Sequence, residues 1–165
     1  MQIDIILEPD LSPAEVAEIA VAAENYGFRT LWHSNYHQNP DAFVALAPAA
    51  MATSRIRLGI LAVSPYEMQP LKIGNALLTL NEISNGRAVV AIGGGGSLMS
   101  AIGIEQNPTK LRMVRGVREA VEISKAVVSG EPSRGYPGEV FKVARPFKHS
   151  WKTAPTAQVF TCSTG

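Results

Sequence analysis

The stretch Asn85-Gly86-Arg87-Ala88-Val89-Val90-Ala91-Ile92-Gly93-Gly94-Gly95-Gly96 decides the reading of the fold. It joins a helix stop, a short apolar run and four glycines. Gly86 suits the left-handed residue that ends a helix. Ala88 to Ile92 is apolar without alternation, as expected of a strand buried on both faces of a parallel sheet. Four glycines at its carboxyl end remove every side chain, so a flat or anionic ligand can approach the main chain there. A flexible turn is the plain alternative, and the weight of the run comes from its place in a repeating pattern.

Outward from it, the pattern is strand then helix. Ile3 to Leu7 is an apolar run ending at Glu8-Pro9. Ser12-Pro13-Ala14-Glu15 matches a capping box with proline at the first helical position. Val16, Ile19, Ala20 and Ala23 then form an apolar stripe, stopped by Gly27. Thr30-Leu31-Trp32 begins a second strand, followed by a polar loop from His33 to Pro40. A second helix is expected from about Asp41 to Ser54, with Pro48 predicting a kink or a later start. Ile56 to Val63 is the third strand, closed by Ser64-Pro65. Pro70 opens a third helix through Leu71, Ile73, Leu77, Leu80 and Ile83.

Beyond the glycines, Asn107-Pro108 is expected to cap a long helix with the stripe Leu111, Val114, Val117, Val121 and Val128, ending at Gly130. Arg115 and Glu119, and Arg118 and Glu122, stand four apart on its other face and read as a solvated, ion-paired surface. From Glu131 to Pro146 three prolines and two glycines break the rhythm. Tyr136 to Val143 looks like a small excursion hairpin. Ala157 to Thr161 resumes with a fifth strand before Ser163-Thr164-Gly165.

Four strand–helix units and a fifth strand predict a parallel α/β protein in one domain over residues 1–165. Two architectures compete: an open doubly wound sheet, and a (β/α)₈ TIM-type barrel of which this chain would supply slightly more than half. The 165 residues suffice for one core, and a net charge of +1 gives no electrostatic footprint for nucleic acid. One cysteine, Cys162, excludes an intrachain disulfide and fits a reducing compartment. No apolar run reaches membrane-spanning length and the start lacks signal-peptide features, so the expected location is cytoplasmic.

In either architecture ligands gather at the carboxyl ends of the strands. Those ends carry Glu8; Ser34, Asn35, Tyr36 and His37; Val63 and Ser64; Gly93 to Gly96; and Ser163 to Gly165. One carboxylate, one imidazole, small hydroxyls and bare backbone suit a cofactor pocket better than a hydrolytic centre. Glu8 also reads as a helix cap or a solvated acid, and His37 as a surface histidine. Ser64 before Pro65 also reads as turn chemistry alone. His33 and His37 are four apart, but on a strand end and loop that spacing loses its metal-binding meaning, and no metal is expected. A Rossmann reading is disfavoured, because its glycine loop should follow the first strand.

The order of motifs resembles the bacterial luciferase-like family of oxidoreductases, especially the branch that uses the 5-deazaflavin coenzyme F420. The resemblance rests on Gly59-Ile60-Leu61-Ala62-Val63-Ser64-Pro65-Tyr66, Pro70-Leu71, Leu80-Asn81-Glu82-Ile83-Ser84-Asn85-Gly86-Arg87 with its glycine-tipped strand, Arg118-Glu119-Ala120, Gly130-Glu131-Pro132 and Tyr136-x-Gly138-Glu139-x-Phe141. It spans the whole chain but only about the first half of a family domain, which is a complete (β/α)₈ barrel.

The resemblance implies an enzyme binding F420 (first choice) or FMN at the barrel mouth, with hydride transfer to or from a small organic substrate, or oxygen incorporation. It implies a non-proline cis peptide near Leu61-Ala62, in a bulge that backs the central ring. It places Asn35, Leu61, Ala62, Ser64, Gly93, Gly94, Gly95, Gly96, Ser163, Thr164 and Gly165 against the cofactor, with Glu8 or His37 transferring a proton. Relatives' Asp-His pair after the second strand is Asn35-Tyr36 here, with His37 one step along. Their Arg-His before the third-helix proline is Met68-Gln69, and Ser97-Leu98 stand where an acid sometimes follows the glycines.

A second hypothesis is a non-catalytic half-barrel. Five strands leave the inner face and two edges exposed, so association with the missing half of the barrel, or a homodimer, is expected. A third, a phosphate-binding aldolase or isomerase on the same barrel, calls for a lysine at a strand end, and none stands there.

Overall fold

The computed structural model describes residues 2–104, 107 and 111–162. Five strands, β1 (Asp4–Leu7), β2 (Thr30–Ser34), β3 (Arg57–Val63), β4 (Ala88–Ile92) and, late in the chain, β7 (Gln158–Thr161), form one parallel sheet in the order β1-β2-β3-β4-β7. Neighbours in sequence are neighbours in space, with no reversal of strand order. That is the progression of a (β/α)₈ barrel wall and not of a doubly wound sheet, whose order turns back at its centre. The chain is an incomplete barrel of this type.

The crossovers are α1 (Pro13–Asn25), α2 (Ala42–Ala52), α3 (Pro70–Ile83), a short α4 (Gly96–Ala101) and α5 (Met113–Ser129). The capping box of α1 is present: Ser12 Oγ accepts from Glu15 N at 3.3 Å and Glu15 Oε2 accepts from Ser12 N at 2.8 Å. Asp41 caps α2 by accepting from Val44 N at 3.0 Å. That helix begins ahead of Pro48 and runs through it, so the later start does not occur. The carbonyl that Pro48 leaves without a donor belongs to Val44, which is exposed to solvent. Asn85 and Gly86 both take left-handed φ (53° and 89°), and Gly86 N donates to Asn81 O at 2.8 Å to close α3.

The helices cover one face of the sheet. Leu31, Leu58, Ile60, Val90, Ile92 and Val159 point into the core against Val16, Leu46, Ile73, Leu77 and Val127. Each such side chain contributes about 1.5–3 kcal/mol on burial. Alternate residues face the other way, and there Ile6 (58 % exposed) and Phe160 (46 % exposed) lie open. The Trp32 ring lies over Gly59 on that inner face, so closely that a Cβ at Gly59 would fall 2.3 Å from it.

Three expectations change. Strand β2 continues through His33 to Ser34, and His33 is buried in the core and absent from the loop. Helix α5 starts at Met113 after a left-handed Arg112, and Pro108 of the expected cap lies outside the described residues; Val114 is 88 % exposed and falls off the stripe, whose Val121 and Val128 are buried. Glu119 sits on the buried face, 4 % exposed, because its carboxylate accepts the amides of Glu139 (3.0 Å), Val140 (2.9 Å) and Phe141 (2.8 Å). Arg115 pairs with Glu139 instead. These contacts hold the excursion hairpin, β5 (Tyr136–Pro137) against β6 (Lys142–Val143), to the side of α5.

Candidate functional site

Parallel strands bring their carboxyl ends to one rim, and the third strand is irregular there. Its register with β4 shifts between Leu61 and Val63, and the Leu61-Ala62 peptide is cis. The loop after β2 docks on this bulge. Asn35 N donates to Leu61 O at 3.2 Å, and Asn35 Nδ2 donates to Ala62 O at 3.4 Å and to Glu67 Oε1 at 2.6 Å. Glu67 also accepts, at 3.4 Å, from Ser64 N. A loop from one strand is thereby tied to the bulge of the next.

The glycine run lies on the same rim. Gly93 N donates to Val63 O at 3.0 Å, and a Cβ on Gly93 would stand 3.6 Å from that of Ala62. Much of the space left by the missing side chains is taken by the protein itself. A Cβ on Gly94 would meet Met113 Sδ at 2.7 Å, and one on Gly95 would meet Ser64 Cβ at 2.3 Å. Gly95 also has φ of 75°, which favours glycine. Among the described residues, a Cβ on Gly96 alone of the four would meet nothing within 4 Å. The bare surface read from the sequence is therefore narrower than four residues.

Ser64 is 1 % exposed. Its hydroxyl donates to Gly94 O at 3.1 Å and accepts from Tyr66 N at 3.2 Å, so it fixes the glycine loop. Glu8, just past β1, and His37, in a turn after β2, are both exposed on this rim. Asn35, Leu61 and Ala62 are half-buried. Ser163, Thr164 and Gly165 lie outside the described residues.

Glu67 is the rim residue that strand-end reading missed. It stands three residues beyond Ser64, and extending the search by one turn past the strand would have found it. Although the residue keeps solvent contact, protein packed around its carboxyl pushes the pKa up; the hydrogen bond from Asn35 and the charge of His37 oppose this, and Asp41 adds to it. Among the described residues no cluster of three or more His, Cys, Asp or Glu could hold a metal.

A cleft of about 270 Å³ opens elsewhere, between α5 and the excursion hairpin, lined by Arg115, Arg118, Glu119, Tyr136 and Glu139 among others. Its charges largely serve one another and the hairpin backbone. No described helix is long and apolar enough to cross a membrane.

The profile of the luciferase-like monooxygenase family matches residues 2–161. Among curated proteins, the 5,10-methylenetetrahydromethanopterin reductase of Archaeoglobus fulgidus is 35 % identical over 143 residues, covering 86 % of this chain and 42 % of the relative. The structure of the coenzyme F420-dependent tetrahydromethanopterin reductase from Methanopyrus kandleri superposes with a TM-score of 0.82 at 24 % identity, over 99 % of this chain and 50 % of that one. The oxygenating constituent of 3,6-diketocamphane monooxygenase from Pseudomonas putida, solved with FMN, gives 0.72 at 19 % identity, over 94 % and 47 %. At these identities the two superpositions speak for the fold alone. The chain spans about half the length of the relatives it matches.

Proposed function

The chain belongs to the luciferase-like monooxygenase family, and on that premise we propose that it is the N-terminal part of a barrel domain of an oxidoreductase that transfers hydride between coenzyme F420, or failing that FMN, and a small organic substrate. The observation that carries this reading is the rim itself. The Leu61-Ala62 bulge, gripped by Asn35, faces the same mouth as the glycine loop and the open space at Gly96. F420 comes first because a sequence relative 35 % identical over 130 residues, from Kineococcus radiotolerans, is named as an F420-dependent glucose-6-phosphate dehydrogenase.

When bound, the ring would supply the hydride chemistry, and the protein position and electrostatics. Leu61, Ala62 and Gly93 would back its face, Asn35 would meet its edge, and Gly94 to Gly96 with the Ser163-Thr164-Gly165 segment would border it. Glu8 and His37, both exposed on the rim, would hold or pass the proton that accompanies hydride. The rim residues fit a planar group. They are small or backbone-presenting, and Asn35 keeps an amide oxygen that accepts nothing among the described residues.

The test is a titration of the purified protein, in its full reading frame, with F420 and with FMN, followed by visible absorbance and fluorescence. Saturable perturbation of the F420 spectrum is the expected result. A response to FMN alone moves the reading to the flavin branch, and no response to either overturns it.

A second reading, a non-catalytic half-barrel completed by another chain, draws on the open inner face with Ile6 and Phe160. Sedimentation of the ligand-free protein separates the two, since that reading calls for a stable complex and no cofactor response.

A further inference from the structure

The Asn35 side chain has two amide hydrogens, and both ends of its contact set are acceptors. Ala62 O is a carbonyl, and Glu67 Oε1 belongs to a carboxylate. Only the NH₂ end can face them, because an amide oxygen donates nothing to an acceptor. Oδ1 is then the end left over, and among the described residues nothing donates to it. Were Glu67 absent, the 3.4 Å contact to Ala62 O would be the amide's one remaining anchor, and a long one.

Resting on the cofactor reading above, we propose that Glu67 is a positioning residue: its carboxylate locks the Asn35 amide in the orientation that leaves Oδ1 as the acceptor for an N–H donor on the edge of the bound ring. The pyrimidine edge of a flavin or deazaflavin carries such an N–H between two carbonyls. A reversed amide would offer donors to that N–H and lose the match, so the lock sets which edge group is read. Glu67 reaches the ligand only through Asn35.

The carboxylate form is the one that locks. A protonated Glu67 can donate its O–H to Oδ1, which permits the amide to turn over. Burial raises the Glu67 pKa, Asp41 at the start of α2 adds to the rise, and His37 with the Asn35 hydrogen bond lowers it. Ligand affinity therefore falls as the pH drops through that raised range, and the fall is absent without Glu67.

The experiment is a double-mutant cycle read by F420 binding, with FMN in parallel, on the protein in its full reading frame. Glu67→Ala is expected to weaken binding about tenfold and to flatten the acid limb of the affinity profile. Glu67→Gln, whose own amide can turn, is expected to lose about threefold. In an Asn35→Ala background, Glu67→Ala should change the affinity less than twofold. Additive losses, or an unchanged affinity in the single variant with intact folding by circular dichroism, overturn the proposal.

The Asn35 side-chain NH₂ resonances give a readout that needs no ligand. Displacement by Glu67→Ala supports the lock, and resonances that stay in place sink it. Wild-type protein that binds neither cofactor overturns the redox reading and the ligand assigned here, while these resonances still decide whether Glu67 orients Asn35.

Discussion

The two rims of the sheet use charge in opposite ways. At the amino-terminal rim, charged side chains are spent on the backbone. Glu24 accepts the amides of Ser54 (3.0 Å), Arg55 (2.6 Å) and Ile56 (2.8 Å). Arg87 donates to the carbonyls of Ala50, Thr53, Ile56 and Ser84 and to Thr53 Oγ1. Glu82 takes the amides of Thr153 and Ala154. At the carboxyl rim, Glu8 and His37 stand in solvent, and among the described residues Asn35 keeps an oxygen that accepts nothing. A rim whose charged side chains are taken up by the backbone serves stability. The open carboxyl rim is the one proposed above for a ligand, in keeping with the usual division in barrels.

Substitutions break or sharpen this contrast. Arg87→Ala leaves four carbonyls short of a donor and should cost about 3 kcal/mol of unfolding free energy by urea titration. A loss below 1 kcal/mol would mean that solvent already serves those carbonyls.

Gly95→Ala, on the open rim, forces a Cβ to within 2.3 Å of Ser64 Cβ at a φ of 75°. The expected cost is about 2 kcal/mol, with the Ser64–Gly94 bond disrupted.

Glu24 tests the closed rim through pH. Burial alone would raise its carboxyl, but the amides of Ile56, Arg55 and Ser54 outweigh that and hold it at about 2, against 4.5 for the ordinary group. A depressed pKa contributes stability that is present above about pH 4.5 and drains away as the pH falls toward 2. Glu24→Gln should therefore lose about 1–2 kcal/mol at pH 7 and show a flatter acid limb than the wild type in unfolding at pH 3 to 5.

The smallest effect is expected at Gly96, where a Cβ meets nothing within 4 Å among the described residues. Gly96→Ala should shift stability by less than about 0.5 kcal/mol yet weaken F420 binding, because the space it enters is proposed for the ligand. Unchanged binding would place the ring elsewhere on the rim.

How far the sequence reaches varies element by element. Ser12 and Glu15 announce α1 because both partners of the cap lie within one turn. The run Ala88 to Ile92 announces a buried strand because burial on both faces erases alternation. Asn35 and Ser64 stand among the rim candidates because strand ends are where a parallel sheet holds ligands, whereas Leu61 and Ala62 entered only through the family resemblance. Glu119 was misread because an arginine four residues before it suggested an ion pair. Its true partners are three backbone amides about twenty residues on, and an amide carries no residue-type signal. Val114 misled for a related reason. Val114 stands one residue after the start of α5, which depends on where Arg112 turns left-handed, while Val121 and Val128 further along are buried as the stripe implies.

By itself the sequence determined the α/β rhythm, the parallel direction of the sheet strands and the rim on which the candidate residues gather. These follow from hydrophobic period, caps and the handedness of strand–helix units, all local in the chain. Tertiary structure decided which polar groups are spent and which are spare. Glu67 meets Asn35 across 32 residues, and Glu82 meets Ala154 across 72. Whether a carboxylate faces water, an amide or an asparagine depends on where the packed helices and sheet set those distant loops, and no local pattern records that.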